Sequence, residues 1–154
     1  MNTQSALITG SNGFVGKWLA DLLQTSGYHV IGIDNADVSR NPSIEYAKVN
    51  ILEKDKLCKL FTDVQPEMIF HLAGVSYLPD ADKSPLSSIE INVLGSLAIF
   101  EAARIASPSS AILFIGSSKE YSSNVNATVI TEDIHPLPEN FYGITKYSAE
   151  LFGQ

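Results

Sequence analysis

Cysteine is nearly absent. Cys58 is the only one in 154 residues, which excludes an internal disulfide. It sits in a helical pattern with Leu57, Leu60 and Phe61, which reads as a packed thiol, and no metal-ligand set is expected. Basic residues are also scarce. Ten Lys and Arg face seventeen Asp and Glu, for a net charge of −7. With a pI near 4.8, that balance argues against a nucleic-acid surface. No apolar stretch is read as reaching the ~20 residues that span a bilayer, so no membrane partner is expected. The opening Met1-Asn2-Thr3-Gln4 lacks the basic region and apolar core of a signal peptide, so the expected location is cytoplasmic. The Asn126-Ala127-Thr128 sequon is then expected to stay unmodified. There are no internal repeats and no low-complexity blocks.

What is present is a chain of single-domain length that is 45% hydrophobic, enough to bury a core. Short apolar runs predict strands at Ala6–Thr9, Val30–Asp34, Tyr46–Asn50, Met68–Leu72 and Ala111–Ser117. Helical patterns separate them. Phe14, Trp18 and Leu22, with Val15, Leu19 and Leu23, form a stripe that stops at Gly27. Leu57, Leu60, Phe61 and Val64 form a second, ended before Pro66. The longest runs from about Pro85 to Ala106, with Ile89, Val93, Leu97 and Phe100 on one face. The last begins near Phe141 and continues to the end. This alternation predicts an α/β fold with a doubly wound parallel sheet, strand order 3-2-1-4-5 and a ligand crevice at the carboxyl ends of strands one and four.

The first strand runs into Gly10-Ser11-Asn12-Gly13-Phe14-Val15-Gly16. Three glycines at this spacing before a helix suit a phosphate cradle. Gly10 permits the tight turn, Gly13 lets the backbone approach a pyrophosphate, and Gly16 lets the helix pack on the strand. Asp34 ends the second strand, 18 residues after Gly16. A carboxylate there accepts hydrogen bonds from an adenosine ribose and repels a 2′-phosphate, which favours NAD over NADP. Arg40 would soften that preference by swinging toward the ribose.

Tyr142 and Lys146 stand at i, i+4 and share a helix face. An ammonium beside a phenol favours the phenolate, and such a tyrosine can exchange a proton with an alcohol oxygen while hydride moves at the same carbon. The fifth strand leads into Gly116-Ser117-Ser118-Lys119-Glu120-Tyr121. Ser117 or Ser118 there either hydrogen-bonds a reacting oxygen or caps the turn.

Taken in order, Gly10-x-x-Gly13-Phe14-x-Gly16, Asp34, Pro66–Gly74, Asn92-x-x-Gly95, Phe114–Tyr121, Thr131-Glu132-Asp133 and Tyr142-x-x-x-Lys146 resemble the N-terminal half of an extended short-chain dehydrogenase/reductase. The branch is that of nucleotide-sugar epimerases, dehydratases and reductases, with a Rossmann-type sheet. The resemblance implies that Gly10, Asn12, Gly13, Phe14 and Gly16 surround the pyrophosphate of NAD, that Asp34 holds the adenosine ribose, and that Asn50 and Ile51 flank the adenine. It puts Leu72, Ala73 and Gly74 on the nicotinamide side. It makes Ser117 the polarising hydroxyl, Tyr142 the acid/base, Lys146 its partner and ribose ligand, and Asn92 a support from the long helix that counts among the cofactor-site residues. Ser117, Ser118 and Glu120 are the expected substrate contacts. His71 reads as structural, and His29 and His135 show no partner pattern.

Three departures refine the resemblance. Asn50 replaces the usual adenine-side aspartate, and Ser122 the usual glycine after the tyrosine of the serine loop. Ser118 and Lys119 stand where dehydratases carry an acid–base pair, which disfavours water elimination and points to 4-keto-6-deoxy-sugar reductases or 4-epimerases. Family members run to about twice this length, so residues 1–154 are expected to be a dinucleotide-binding domain lacking the C-terminal substrate domain. Such a fragment would bind dinucleotide weakly and turn over slowly or not at all. The expected partners are a nucleotide-diphosphate sugar and a second copy packed through helices at 85–106 and 141–154. Two readings from other classes stay open: a non-catalytic dinucleotide sensor or scaffold, and an inactive truncated product.

Overall fold

Strands and helices alternate along the chain, as the apolar periodicity requires. The computed structural model describes residues 4–77, 79, 83–123 and 129–154, so the sequon at Asn126 lies outside the described residues. The elements are β1 (Ser5–Thr9), α1 (Phe14–Thr25), β2 (His29–Asp34), β3 (Glu45–Lys48), α2 (Lys54–Val64), β4 (Met68–His71), α3 (Pro85–Ala106), β5 (Ala111–Phe114) and α4 (Phe141–Phe152). The five strands form one parallel sheet in the order β3-β2-β1-β4-β5. β3 and β5 end earlier than their apolar runs. β5 stops where Phe114 pairs with His71, and the chain then turns into the serine loop.

Alternating side chains on β1 and β4 feed two cores. Leu7 and Ile69 pack with Leu57 and Phe61 of α2 and with Ile99 and Ala102 of α3. Ala6, Ile8 and Phe70 pack on the other face with Ala20 and Leu23 of α1. Cys58 packs against the first core. At the β5 edge Leu113 and Ile115 are exposed, and no described helix covers them.

Two helical faces differ from the expected stripes. On α1, Phe14, Trp18 and Leu22 point outward, and the core side is Gly16, Ala20 and Leu23. A Cβ on Gly16 would lie 2.6 Å from the Gly10 carbonyl oxygen, so the first turn of the helix sits too near the glycine loop for any side chain at that position. On α3, Ile89 and Leu97 are exposed, whereas Asn92, Ser96, Ile99 and Ala103 face inward. The middle of α3, Ile89–Gly95, is wound as a π-helix, which shifts the inward face off the α-helical register. That face is partly polar, so counting apolar residues alone misplaces it.

The expectation about long apolar segments also needs correction. Pro85–Ala106 spans 22 residues and is apolar enough, by length and composition, to cross a membrane. Here it packs on the sheet, and its buried Asn92 and Ser96 are hydrogen-bonded to β4 and α4. His29 likewise has a partner, with its Nε2 3.1 Å from Glu45 Oε2 between β2 and β3.

A seam of buried polar groups joins the two cores. Thr9 Oγ1 accepts the amides of Leu72 (3.2 Å) and Ala73 (3.0 Å), so its own proton goes to His71 Nδ1 at 2.7 Å. The imidazole therefore carries its proton on Nε2 and donates to Ser96 Oγ at 2.9 Å, which donates to the Asn92 carbonyl at 2.6 Å. The Asn92 amide then donates to Thr145 Oγ1, which donates to the Tyr142 carbonyl. His71 is neutral in this seam. Burial, aided by the charge on Lys146, pushes its pKa from 6.5 down to about 3.

Between those values the unfolded chain binds a proton that the folded chain does not. The stability tied to His71 is therefore complete above about pH 6.5 and is lost as the pH falls toward 3. Between about pH 7.5 and about pH 5 the contribution of His71 alone is expected to fall by about 2 kcal/mol, on the scale of ~1.4 kcal/mol per unit, read in urea unfolding as the difference in acid dependence between the unaltered protein and His71→Gln. His71→Gln should remove most of that loss; an equal acid loss in both proteins would refute this account.

Candidate functional site

The carboxyl ends of β1, β2, β4 and β5 open into one cleft of about 640 Å³. Gly10, Phe14, Asp34, Ala73, Tyr142 and Lys146 all line it. Motifs up to 136 positions apart in the chain (Gly10 to Lys146) are thus brought to one crevice, where β1 lies between β2 and β4.

The first wall is the glycine loop. Gly10 turns with φ +68°, and an added Cβ would lie 2.9 Å from the Ala73 backbone. The Gly13 amide bonds the Gly10 carbonyl at 3.0 Å and closes the turn. α1 then starts at Phe14 with Gly13 as its N-cap, and no side chain caps it. Its first amides and the positive end of its dipole therefore remain available to an anion in the cleft. A turn tight enough to require glycine, leading into a helix N-terminus with no side-chain cap, fits a pyrophosphate.

Asp34 lies beside this loop. Its Oδ2 accepts the Asn12 amide at 3.2 Å and its Oδ1 the Ala36 amide at 3.3 Å. A carboxylate has about four acceptor positions, so capacity for hydroxyl donors remains. The Asn12 side chain turns away from the loop mouth and pins the segment after β2. It donates to the Val38 carbonyl at 3.0 Å and accepts the Arg40 amide at 2.7 Å. The Arg40 guanidinium reaches the Asn12 carbonyl at 3.4 Å. Asn50 lines the cleft, but its Oδ1 accepts the Leu52 amide in its own turn. Ile51 lines the cleft and is mostly buried against Gly95. Leu72, Ala73 and Gly74 form the wall after β4. Asn92, 1% exposed, spends its amide on both backbone groups of Val75 and on Thr145.

The opposite wall combines the serine loop with α4. Ser117 caps a 3₁₀ turn, Ser118–Glu120, with its Oγ accepting the Lys119 amide at 3.1 Å. That bond leaves the hydroxyl proton free to be donated elsewhere. Ser118 is exposed on the turn. Glu120 departs from its expected substrate contact. It is 2% exposed and turned inward, accepting the Ser117 amide at 2.7 Å. Tyr142 lies in the first turn of α4, whose N-cap Asn140 accepts the Gly143 amide at 2.8 Å. Lys146 follows one turn later, with its ammonium 4.2 Å from the centre of the Phe114 ring. Burial lowers its pKa from 10.5 to about 8, against the opposing pull of Glu120 and Glu150.

Three residues that organise this wall carry no motif of their own in the sequence reading. Glu139 accepts from both Ser122 and Ser123, tying the serine loop to the start of α4. Glu150 approaches Gly116 from the far end of α4. Gly143 lets the helix touch the loop, since a Cβ there would lie 2.1 Å from the Lys119 carbonyl oxygen. Gly143→Ala must push α4 off the loop, and urea unfolding should show a loss of about 1–3 kcal/mol. A loss under ~0.5 kcal/mol would show that the contact is not tight.

Comparison with known proteins agrees with this fold. The chain is 30% identical over 151 residues to GDP-6-deoxy-D-mannose reductase of Pseudomonas aeruginosa, covering 96% of this chain and 45% of that one. The fold superposes on UDP-glucose 4-epimerase of Thermotoga maritima, solved with UDP-glucose, at a TM-score of 0.88 and 28% identity, covering 97% of this chain and 50% of that one. UDP-glucose 4-epimerase of Brucella ovis, solved with NAD, gives the same TM-score at 25% identity, with 97% and 46% coverage. The chain therefore spans about half the length of the relatives it matches. Residues 6–153 match the NAD dependent epimerase/dehydratase family, and the chain belongs to it.

Proposed function

We propose that residues 1–154 form the dinucleotide-binding part of an NAD-dependent enzyme acting on a nucleotide-diphosphate sugar, as a 4-keto-6-deoxy-sugar reductase or a 4-epimerase. The observation that carries this reading is the meeting of Tyr142 and Lys146 with the glycine loop and Asp34 in one cleft. A sensor needs the loop and the carboxylate but has no use for an acid/base pair beside them.

In this reading the first turn of α1 holds the diphosphate and Asp34 accepts from the adenosine ribose. Asn50, Ile51 and the Leu72–Gly74 wall flank the rings. When bound, NAD supplies hydride exchange at a sugar carbon. The Tyr142 hydroxyl gives a proton to the oxygen on that carbon, or takes one from it. Lys146, one turn further along the same helix face, reaches the second ribose. Ser117 directs its free hydroxyl proton to the same oxygen as charge gathers there. Ser118 and Lys119 supply no acid–base pair for water elimination, which supports reduction or epimerisation over dehydration. The family relation to a GDP-6-deoxy-D-mannose reductase and to UDP-glucose 4-epimerases supports both. Exposed Leu94 and Leu97 on α3 and Ile144 and Leu151 on α4 support a dimer through these helices.

Two measurements test the reading. In the complete protein, Tyr142→Phe should lower turnover by about 10²–10⁴-fold. The NAD dissociation constant should stay within about threefold, and unimpaired turnover would refute the acid/base role. In cofactor titrations the chain should bind NADH more tightly than NADPH, and Asp34→Ala should narrow the gap. Tighter NADPH binding by the unaltered chain would overturn the role given to Asp34.

A further inference from the structure

Two carboxyl groups from separate elements converge behind the serine loop. A Cβ on Gly116 would lie 3.2 Å from Glu120 Oε1 and 3.4 Å from Glu150 Oε2. Glu120 comes from the turn after β5 and Glu150 from the last turn of α4. Glu120 is 2% exposed and has only one conventional task, accepting the Ser117 amide in the capping box. A neutral Gln would perform that task equally well. A buried carboxyl next to a second carboxyl needs a different explanation, because two such groups cannot both ionise cheaply.

We propose that Glu120 is a positioning residue: its carboxyl shares one proton with that of Glu150, and the pair is the built-in counter-charge that keeps Lys146 protonated on the cleft wall. The role given to Lys146 rests on the proposed acid/base function, whereas the proton sharing rests on the convergence of the two carboxyls at Gly116. The surroundings leave Lys146 as the cation for the pair. It lies one turn before Glu150 on α4 and is attracted by both carboxyls. Arg104 of α3 lines the same groove as Glu150, but its guanidinium is committed to Glu101 at 2.8 and 2.9 Å. Lys119 is exposed on the outside of the turn. His71 of β4 is neutral, and β5 presents the Phe114 ring.

The consequence is a charge that grows when it is needed. Burial, the hydrogen bond that the protonated Glu120 carboxyl donates to Glu150, and the charge of Glu150 raise Glu120 to about 7. Below that Glu120 is neutral, and above it its carboxylate adds a negative charge behind Gly116. Burial draws Lys146 down to about 8, so the added charge arises just below the pH at which the ammonium would be lost. The pair thereby extends upward the range in which a buried lysine stays charged.

The test is a ¹³C NMR titration of the glutamate carboxyls and the lysine side chain in the 154-residue chain. Glu120 should titrate with a midpoint near 7. Glu150→Gln should lower that midpoint by about one unit or more, since its amide donates a hydrogen bond but carries no charge. Glu120→Gln keeps an acceptor for the Ser117 amide, so the backbone spectrum should be preserved while the Lys146 midpoint falls by about one unit. A Glu120 midpoint below about 5, or a Lys146 midpoint unmoved by Glu120→Gln, would overturn the proposal. Failure of the acid/base reading would show separately, as normal turnover of Tyr142→Phe while these titrations stand.

Discussion

The site depends on one chain of buried hydrogen bonds that runs in a single direction. Thr9 is fully buried and must satisfy two amides of the β4 wall, which commits its proton to His71. The next donors are then forced through Ser96 to the Asn92 carbonyl, while the Asn92 side chain, oriented by both backbone groups of Val75, donates to Thr145, which donates to the Tyr142 carbonyl. The residue just before Gly10 is thereby tied to the helix that carries Tyr142. A break leaves a buried polar group unpaired, at a cost of about 1–3 kcal/mol, so the seam resists small adjustments. It explains why α3, otherwise apolar enough to be mistaken for a membrane span, keeps Asn92 and Ser96 on its inward face.

Electrostatics follows from this packing. The seam brings neutral His71 close enough to Lys146 for the ammonium to help keep the imidazole uncharged. The same burial weakens the hold of Lys146 on its proton. The Phe114 ring and the two carboxyls behind Gly116 offset that loss. The glycine loop is arranged in the opposite sense, with an uncapped helix N-terminus open to an anion. One end of the cleft therefore suits a diphosphate and the other suits proton transfer, and the β4 wall separates them.

Much of the fold was legible in the chain because buried parallel strands and amphipathic helices leave strong periodic signals. Strand order followed from βαβ alternation, and Gly10, Asp34, Tyr142 and Lys146 stood out through spacing alone. Other residues were misplaced for definite reasons. Phe14, Trp18 and Leu22 formed the more conspicuous stripe on α1, yet the helix packs through Gly16, Ala20 and Leu23, and at Gly16 the glycine loop leaves no room for any side chain. Ile89 and Leu97 misled because the π-helical turn shifts the register and the inward face is polar. Glu120 looked like a substrate contact from its place in the serine loop, whereas the capping box folds its carboxyl inward.

By itself the sequence determined the class of sheet, the place of the glycine turn and the pairing of tyrosine with lysine on one helix. These depend on periodicity and on contacts within a few positions, which any short window records. Only the tertiary structure decided which tautomer His71 adopts, that Gly143 must be bare to meet Lys119, that Glu139 grips the serine loop, and that Glu120 and Glu150 meet behind Gly116. Those outcomes come from elements distant in the chain that approach one another in space, and separation along the chain says nothing about the direction or distance of such a meeting.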